Sequence, residues 1–427
     1  MIKTIAALGL LTASSALAAQ GYGTPAPAPA PTTPRLDTAK PAKSNKDSGG
    51  QRKVNISKPA QKAVIDLQNA VTANDVANIP AKLQVAKAAA KTDEDRYYIS
   101  ILELKAGIAS KDNNMMASAL EALVASNQMP PEDLQSNYVN LGKVYNNLKQ
   151  PDKAIPALER AIQLNPADTE ALIMLGEIHN GRGQTAAGVD LIGRAIAAKV
   201  AAGQKPAEEW YKRALTLSYN AKLPATPGLA REWVHAYPTT ANWKDAIRVY
   251  RNLAKPPEPI LMDLLRLSRV TNSLDGDVDY NAYVYISAEQ RNAMEGKRLL
   301  DEAAAAGKID LNKPVYVEMQ KGLKARPMPG ADILAETAKT QLAGTDGAAL
   351  MVTANRYYGI GDYAKAAELF RAAMTKPGVD KNQAQLELGI ALAGAGDKAG
   401  AKAAFEAVGG TRTEVAKYWL TYLSTKA

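Results

Sequence analysis

Cysteine is absent from the 427 residues of this chain, and histidine and phenylalanine occur only twice each. Without cysteine the chain has no disulfide bonds, thiolate metal sites or cysteine nucleophile. Neither His179 nor His235 is followed by a second histidine or a carboxylate at i+4, the spacing that metal-binding and acid–base helices use. Walker, nucleophile-elbow and zinc-binding motifs are also missing from the sequence. We therefore predict that the protein is not an enzyme and needs no cofactor or metal.

Aromatic residues are scarce as well, at 6% of the chain, although 46% of all residues are hydrophobic. Alanine is frequent and runs of β-branched residues are rare, which favours helices packed closely through small side chains. Beyond the amino terminus no window approaches 18 consecutive uncharged apolar residues. No membrane-spanning helix is therefore expected in the mature chain.

The net charge of +9 is concentrated in one segment. Residues 35–58 hold seven basic residues against two acidic ones, so five of the nine excess charges lie there. Because little excess charge remains elsewhere, nucleic-acid binding is not expected. The basic segment is interpreted as a solvated spacer, with peripheral contact to anionic envelope polymers as the alternative.

The amino terminus has the pattern of a secretion signal. Lys3 precedes an apolar stretch over residues 5–11, and Ala16-Leu17-Ala18 supplies the small-x-small sequence of a cleavage site. The stretch is shorter than the roughly 20 residues that span a bilayer. We predict a signal peptide over residues 1–19, cleavage after Ala18 or Ala19, and a periplasmic or secreted mature protein.

Proline and alanine alternate from Thr24 to Pro31, and a sequence rich in lysine, serine and glycine follows. Proline fixes φ and lacks an amide donor, so such sequences stay extended and do not build a core. Residues 20–58 are predicted to form a disordered tether.

A repeated pattern of 34 residues is clearest from residue 135 onward. Its apolar and small positions are Tyr138, Leu141, Gly142, Tyr145, Ala154, Leu158, Ala161 and Pro166. The helical spacing predicts two helices, and Gly142 allows the second to cross the first closely. Pro151 and Asp152 suit the turn between them. The pattern resembles the tetratricopeptide repeat, a family of stacked helical hairpins.

Further copies are recognisable on both sides. A second copy covers residues 169–202, where Gly176 keeps the glycine position 34 residues after Gly142. Two more lie near the carboxyl end, around Ala354 and Gly389, and a diverged copy surrounds Gly107. The resemblance implies an all-α solenoid of helical hairpins that forms a superhelix. The predicted organisation is 1–19 signal peptide, 20–58 tether, 59–134 diverged repeat, 135–202 two repeats, 203–345 diverged helical middle, 346–412 two repeats and 413–427 capping helix.

Proteins of this family usually bind an extended peptide or a partner helix on a concave face lined by the first helix of each hairpin. Carried over to this chain, the implied contact residues are Val139, Lys143, Asn146, Ile173, Glu177, Asn180, Met351, Asn355 and Tyr358. Val139 and Lys143 stand where the family's carboxylate clamp has Lys and Asn, so that specificity is not transferred. The expected function is a non-enzymatic scaffold that binds an unidentified protein or peptide in the bacterial cell envelope.

The middle region leaves alternatives open. Helices are predicted over residues 208–218, 243–253, 260–270 and 292–306, either as hairpins that lost the repeat signature or as a separate helical insert. A wall-acting hydrolase using Asp263 or Asp301 is one rival function. A glycan-binding module using the basic tail and a self-assembling solenoid are two others.

One acidic run, residues 275–279, has alternating carboxylates like a calcium loop. Tyr280 stands where the loop needs glycine, and Ile286 stands where it needs a bidentate glutamate. The run is therefore predicted to be a solvated turn without a metal.

Overall fold

The computed structural model describes residues 55–426, and helices joined by short loops account for this range. No strand occurs within residues 55–426, which confirms the all-α prediction. The predicted signal peptide and nearly all of the tether lie outside the described residues. The first helix begins at Lys58, and Ile56 just before it is buried, so the packed part of the chain includes the last residues assigned to the tether.

The chain divides into two compact units between Ile178 and His179. Unit 1 holds the helices α1 to α7, of which the last crosses the division by three residues. Their bounds are α1 Lys58–Thr72, α2 Ile79–Ala89, α3 Asp93–Ser110, α4 Asn113–Val124, α5 Pro131–Asn147, α6 Pro151–Leu164 and α7 Thr169–Gly181. Successive helices pair as antiparallel hairpins, α1 with α2, α3 with α4 and α5 with α6. This is the arrangement that the repeat resemblance predicts.

The first residues of unit 1 are tied to α3 through one buried carboxylate. Ser57 donates to Asp95 from its main-chain nitrogen at 2.8 Å and from its hydroxyl at 2.6 Å. Asp95 also completes a capping box with Thr92 at the start of α3. Burial alone raises the pKa of Asp95, but the hydrogen bonds from Ser57, Lys91 and Thr92 outweigh it and lower the pKa to about 2. The charged carboxylate therefore holds the start of α1 against α3.

Unit 2 holds fourteen further helices within the described residues. Their bounds are α8 Thr185–Ala201, α9 Glu208–Asn220, α10 Thr226–Ala236, α11 Thr240–Ala254, α12 Glu258–Val270, α13 Gly276–Glu289, α14 Ala293–Ala305, α15 Pro314–Lys324, α16 Ala331–Ala343, α17 Gly347–Ile360, α18 Tyr363–Met374, α19 Lys381–Gly394, α20 Lys398–Glu406 and α21 Thr413–Thr425. A single 3₁₀ turn, Gly410–Arg412, precedes α21. The predicted helices of the middle region correspond to α9, α11, α12 and α14, within a few residues at each end.

The carboxyl-terminal hairpins of unit 2 pack against its middle helices as well as against each other. Helix α17 contacts α14, and α21 contacts α10, α12, α19 and α20. Tyr418 and Trp419 of α21 are fully buried. The segment that was predicted to cap the last repeat therefore also forms part of the core around the middle region.

The acidic run at residues 275–279 has a different structure from the predicted solvated turn. Asp275 directly precedes α13, and the following residues form its first helical turn. Asp279 is buried and accepts from Arg251 at 2.6 Å, while Asp275 pairs with Lys244 at 2.6 Å. The prediction of a turn was wrong because the acids are the favoured residues of a helix start and have basic partners on α11.

Among the described residues no helix is long and apolar enough to cross a bilayer.

Candidate functional site

The glycine of each well-formed hairpin sets the distance between its two helices. A Cβ atom on Gly142 of α5 would lie 2.5 Å from Cγ of Leu158 on α6. A Cβ atom on Gly389 of α19 would likewise lie 2.5 Å from the ring of Phe405 on α20. The same offset of 16 residues separates both pairs. The two helices of each hairpin cross closely at these glycines. The opposite side of each first helix therefore points away from the second helix of its hairpin.

On α5 and α7 the exposed side of the first helices carries four of the predicted contact residues. We name Lys143, Asn146, Ile173 and Glu177 the first-helix row. Asn146 is exposed and the other three are half-buried. Lys143 forms an ion pair with Glu170, which joins α5 to α7. Spacings of three and four residues place the members on one side of each helix, so the row offers charged, amide and apolar groups side by side.

Two other predicted residues near the row have different surroundings. Val139 is only 4% exposed and belongs to the hydrophobic core of unit 1. Asn180 is half-buried, and its side-chain oxygen accepts from the Thr185 hydroxyl at 3.3 Å. The assignment of these residues as partner contacts stays a prediction, and Val139 presents little surface to a partner in this structure.

The three predicted residues of α17 lie at or below a groove in unit 2. We name this cavity of about 290 Å³ the C-terminal groove. Its lining residues are Pro259, Gln290, Ala348, Met351, Val352, Asn355, Gly378, Val379, Asp380 and Gln383. Met351 and Asn355 are mostly buried and form part of its lining, whereas Tyr358 is buried beneath the guanidinium of Arg266. The family resemblance implied an open face for Met351 and Asn355, whereas in the structure residues of the middle region, Pro259 and Gln290, line the groove with them.

The floor of the C-terminal groove is hydrogen bonded to buried charges. The side-chain oxygen of Asn355 accepts from Arg266 at 2.7 Å, and its amide nitrogen donates to Glu387 at 2.8 Å. Gln383 donates to the other oxygen of Glu387 at 2.9 Å. Asn292 donates to the main-chain oxygen of Asn355 at 2.7 Å. These bonds hold the groove lining in place from below.

The buried charges below the groove form a network that joins α12, α14, α19 and the 3₁₀ turn. Arg266 makes two hydrogen bonds to Glu295, at 2.9 and 2.7 Å. Burial alone raises the pKa of Glu295, but the charge and hydrogen bonds of Arg266, with a further bond from Tyr283, leave its pKa below the ordinary value. Glu295 is therefore ionised and paired.

Asp263 occupies the other end of the network. It is fully buried and accepts from Arg412 at 2.6 Å through Oδ2, while its Oδ1 has no hydrogen-bond partner among the described residues. Burial and the nearby charge of Glu387 raise the pKa of Asp263 to about 7, and Arg412 and Arg266 only partly offset them. Asp263 is thus the carboxyl group of the network that exchanges its proton near neutral pH.

The two carboxylates of the hydrolase alternative lie in unlike places. Asp263 is enclosed, whereas Asp301 is exposed and pairs with Lys297 one turn away on α14. Asp263 and Asp301 therefore do not line a common cleft in which one could act as the general acid and the other as the general base on the same substrate. Within residues 55–426 no group of three metal-ligating side chains comes together.

The histidines have hydrogen-bond partners but no catalytic neighbours. His179 is half-buried and contacts the side chain of Gln184, and His235 is exposed and lies 3.0 Å from the Ser424 hydroxyl. A partner for His235 was not evident from the sequence because Ser424 is 189 positions away. Neither ring faces a carboxylate in these contacts.

Sequence reasoning missed the polar residues of the C-terminal groove. Asp380 caps α19, and Gln383 and Glu387 follow it at spacings of three and four residues on one side of that helix. That spacing is a signal that could have been read. The position of Gln383 and Glu387 close to Asn355 could not be predicted from the sequence, because it depends on how α19 lies relative to α17.

Two segments of the chain match models of one repeat family. The family model of the tetratricopeptide repeat matches residues 138–168, and a second tetratricopeptide-repeat model matches residues 351–410. No curated protein sequence matches the chain. Both matched segments coincide with hairpins, α5 with α6 in unit 1 and α17 to α20 in unit 2.

Several solved structures resemble the chain at low identity. YrrB, described as a TPR protein with an unusual peptide-binding site, is 15% identical, with 42% of this chain and 87% of that chain covered and a TM-score of 0.30. A tetratricopeptide repeat protein from Parabacteroides merdae is 10% identical, with 77% and 98% covered and a TM-score of 0.28. The carboxyl-terminal part of a TPR protein from Cytophaga hutchinsonii is also 10% identical, with 75% and 97% covered and a TM-score of 0.28. Residues 138–168 and 351–410 of this chain thus match tetratricopeptide-repeat models, and both matched segments fold as helical hairpins.

Proposed function

We propose that this protein is a non-catalytic scaffold of the bacterial cell envelope and that it binds a protein or peptide partner along the first-helix row. The repeats themselves support a protein-interaction scaffold in general terms. The observation that carries the finer proposal is the row, where side chains of two successive first helices reach solvent together on α5 and α7.

The chemistry of the first-helix row suits a peptide in extended form. The exposed amide of Asn146 can donate to and accept from a peptide main chain, whose groups need both. Ile173 offers half-buried apolar surface that gains from further burial. The ion pair of Lys143 with Glu170 is partly exposed, so either charge can exchange its partner at little cost.

The envelope location is supported by the amino-terminal sequence alone. A signal peptide over residues 1–19 would export the chain, and the proline-, alanine- and lysine-rich segment that follows it would precede the folded part as an extended tether. The basic residues of that segment would add a peripheral contact to anionic envelope polymers. The partner would then be another envelope protein.

The experiment is affinity capture from envelope extract with three forms of the mature chain. The wild type is compared with Lys143→Glu/Asn146→Glu, which places negative charge on the row. The matched control is Arg160→Glu/Gln163→Glu, which makes the same change of three charges on the exposed side of α6 in the same hairpin. Far-UV circular dichroism checks that all three forms are equally helical.

The proposal expects one discrete protein to be retained by the wild type and the control but lost from the row variant. Equal retention by all three forms would contradict the row as the binding surface. Retention of wall glycan alone, abolished by deleting residues 20–54, would instead favour the glycan-binding alternative, and this deletion leaves Ile56 and Ser57 in place.

A further inference from the structure

A buried carboxylate without a direct ion pair lies beneath the C-terminal groove. Glu387 lies directly beneath the lining, is 3% exposed, and receives hydrogen bonds from Gln383 and Asn355. Both donors are neutral amides, and no lysine or arginine of the described residues lies within ion-pairing distance of Glu387. Arg266 reaches Glu387 only through Asn355 and is shared with Glu295 and Asp263, so a further positive charge at the groove would stabilise the buried carboxylate.

The nearby guanidinium groups are already committed to other carboxylates. Arg266 makes two hydrogen bonds to Glu295, and Arg412 bonds Asp263 at 2.6 Å. With Glu387 included, the enclosed network therefore has three carboxyl groups against two guanidiniums. Arg269 lies at the edge of the network and pairs with the exposed Glu302. Above the pKa of Asp263 the network therefore carries one surplus negative charge, and Glu387 is the member that is bonded to two lining residues of the groove.

A second carboxylate stands at the rim of the groove. Asp380 caps α19 by accepting from the main-chain nitrogens of Asn382 and Gln383 at 3.0 and 3.2 Å. Its side chain is 57% exposed, and the nearest cation, Arg412, is 3.9 Å away and directed to Asp263. Asp380 thus has only a long ion pair with Arg412 and keeps an exposed carboxylate toward solvent.

Apolar side chains make up the rest of the lining. Met351, Val352, Val379 and Pro259 face the cavity between the rim and the floor. A volume of about 290 Å³ holds one long side chain with parts of its two neighbours. The combination of apolar walls with carboxylates at the rim and floor matches a long aliphatic stem that ends in a positive charge.

We propose that the C-terminal groove binds a peptide segment of a partner protein in which a lysine or arginine is flanked by apolar residues. The basic side chain enters between Met351 and Val379, and its charge lies between Asp380 and the amides that cover Glu387. This inference rests on the proposed function only in taking the partner to be a protein. It uses residues of unit 2 alone and does not depend on the first-helix row.

The test measures binding of short peptides to the full mature chain by fluorescence anisotropy. One labelled peptide has alternating valine and alanine around a central lysine, with both ends capped, and its twin has norleucine in place of lysine. Norleucine keeps the aliphatic stem and removes the charge. We expect the wild type to bind the lysine peptide about tenfold more tightly than its twin, with the difference shrinking at high salt.

Two variants test which carboxylates cause the charge preference, and a third variant serves as the control. Asp380→Asn keeps a good helix cap, and Glu387→Gln keeps the shape of the buried side chain, while each removes one negative charge. Each is expected to weaken lysine-peptide binding about three- to tenfold and to leave norleucine-peptide binding unchanged. Asp397→Asn is the matched control, because Asp397 caps α20 in the same way outside the groove and should change neither affinity.

Three results would overturn the inference. They are equal affinity of the two peptides for the wild type, absence of binding by either peptide, and unchanged lysine-peptide affinity in both Asp380→Asn and Glu387→Gln. Partner capture through the first-helix row is scored separately, so equal retention by the wild type and the row variant, with the lysine preference intact, would reject the proposed function alone. The reverse result would reject the groove alone.

Discussion

The guanidinium of Arg412 donates to the carboxylate of Asp263 at 2.6 Å and thereby joins residues 149 positions apart in the chain. A second hydrogen bond connects the same segments, because the indole nitrogen of Trp419 donates to the main-chain oxygen of Asp263 at 3.2 Å. Together they attach the carboxyl-terminal helix α21 to α12 in the middle region. The stability of unit 2 therefore depends on charges that lie far apart in the sequence.

Replacing Arg412 by alanine should destabilise unit 2 by about 2 kcal/mol, because buried Asp263 would lose its direct hydrogen bond and keep only the longer ion pair with Arg266 at 3.6 Å. All four tryptophans, Trp210, Trp233, Trp243 and Trp419, belong to unit 2, so urea unfolding followed by tryptophan fluorescence reports on that unit. Lys402→Ala is the control, since the ion pair of Lys402 with Glu406 is exposed and worth less than about 1 kcal/mol. Equal urea midpoints for Arg412→Ala and the control would show that the buried pair is not needed.

Unit 2 should lose stability as the pH rises toward neutrality. The pKa of Asp263 is raised to about 7 in the folded chain, against about 3.9 when unfolded. Between these values the folded chain binds one proton more than the unfolded chain, so stability falls by up to about 1.4 kcal/mol per pH unit and levels off above pH 7. Urea midpoints from tryptophan fluorescence at pH 5, 6, 7 and 8 measure the slope.

The variant Asp263→Asn assigns that slope to one group. It should flatten the pH dependence while retaining a hydrogen-bond acceptor for Arg412. A residual slope of the same sign is expected from Glu232, because burial raises its pKa more than Arg231 lowers it. An Asn variant as steep as the wild type would exclude Asp263 as the titrating group.

Adding a methyl group at Gly389 should destabilise unit 2 by about 1–3 kcal/mol, because the new Cβ would lie 2.5 Å from the ring of Phe405. Phe405 stacks on Trp419 at 5.7 Å between ring centroids, so it has little room to move aside. Gly193→Ala in α8 is the matched control, since nothing lies within 4 Å of its Cβ position. That control should gain about 0.4–1 kcal/mol from reduced freedom of the unfolded chain. The expectation fails if both alanine variants unfold at the same urea concentration.

Export predicts a specific amino terminus for the mature protein. Intact-mass measurement of the chain from a bacterial envelope fraction should show a chain that begins at Ala19 or Gln20. Replacing Ala18 and Ala19 by tyrosine should block processing, because signal peptidase requires small residues there. The control replaces Ala28 and Ala30 by tyrosine and should be processed normally. Recovery of the wild-type chain with Met1 still attached would disprove cleavage.

The sequence by itself determined the helical hairpins. Gly142 and Gly389 stand where two helices cross closely, and the apolar spacing around them needs only local contacts to specify a hairpin. The helices of the middle region were predictable for the same reason, since periodicity and proline positions are local properties. Among the predicted contact residues, Asn146 is exposed and Lys143 is half-buried, and their role as partner contacts stays a prediction.

Only the tertiary structure decided which faces stay open. Periodicity tells which side of a first helix turns away from its own hairpin, but not whether a distant helix covers that side. In unit 2 the covering helices come from far along the chain, and Asn355 is enclosed through its bond to Arg266, 89 positions earlier. The pairing of Asp263 with Arg412 depends on the same long-range packing. A buried charge is tolerated only when a charge of opposite sign lies next to it with good geometry. Whether two such residues become neighbours is decided when the whole core assembles, so local sequence does not predict it.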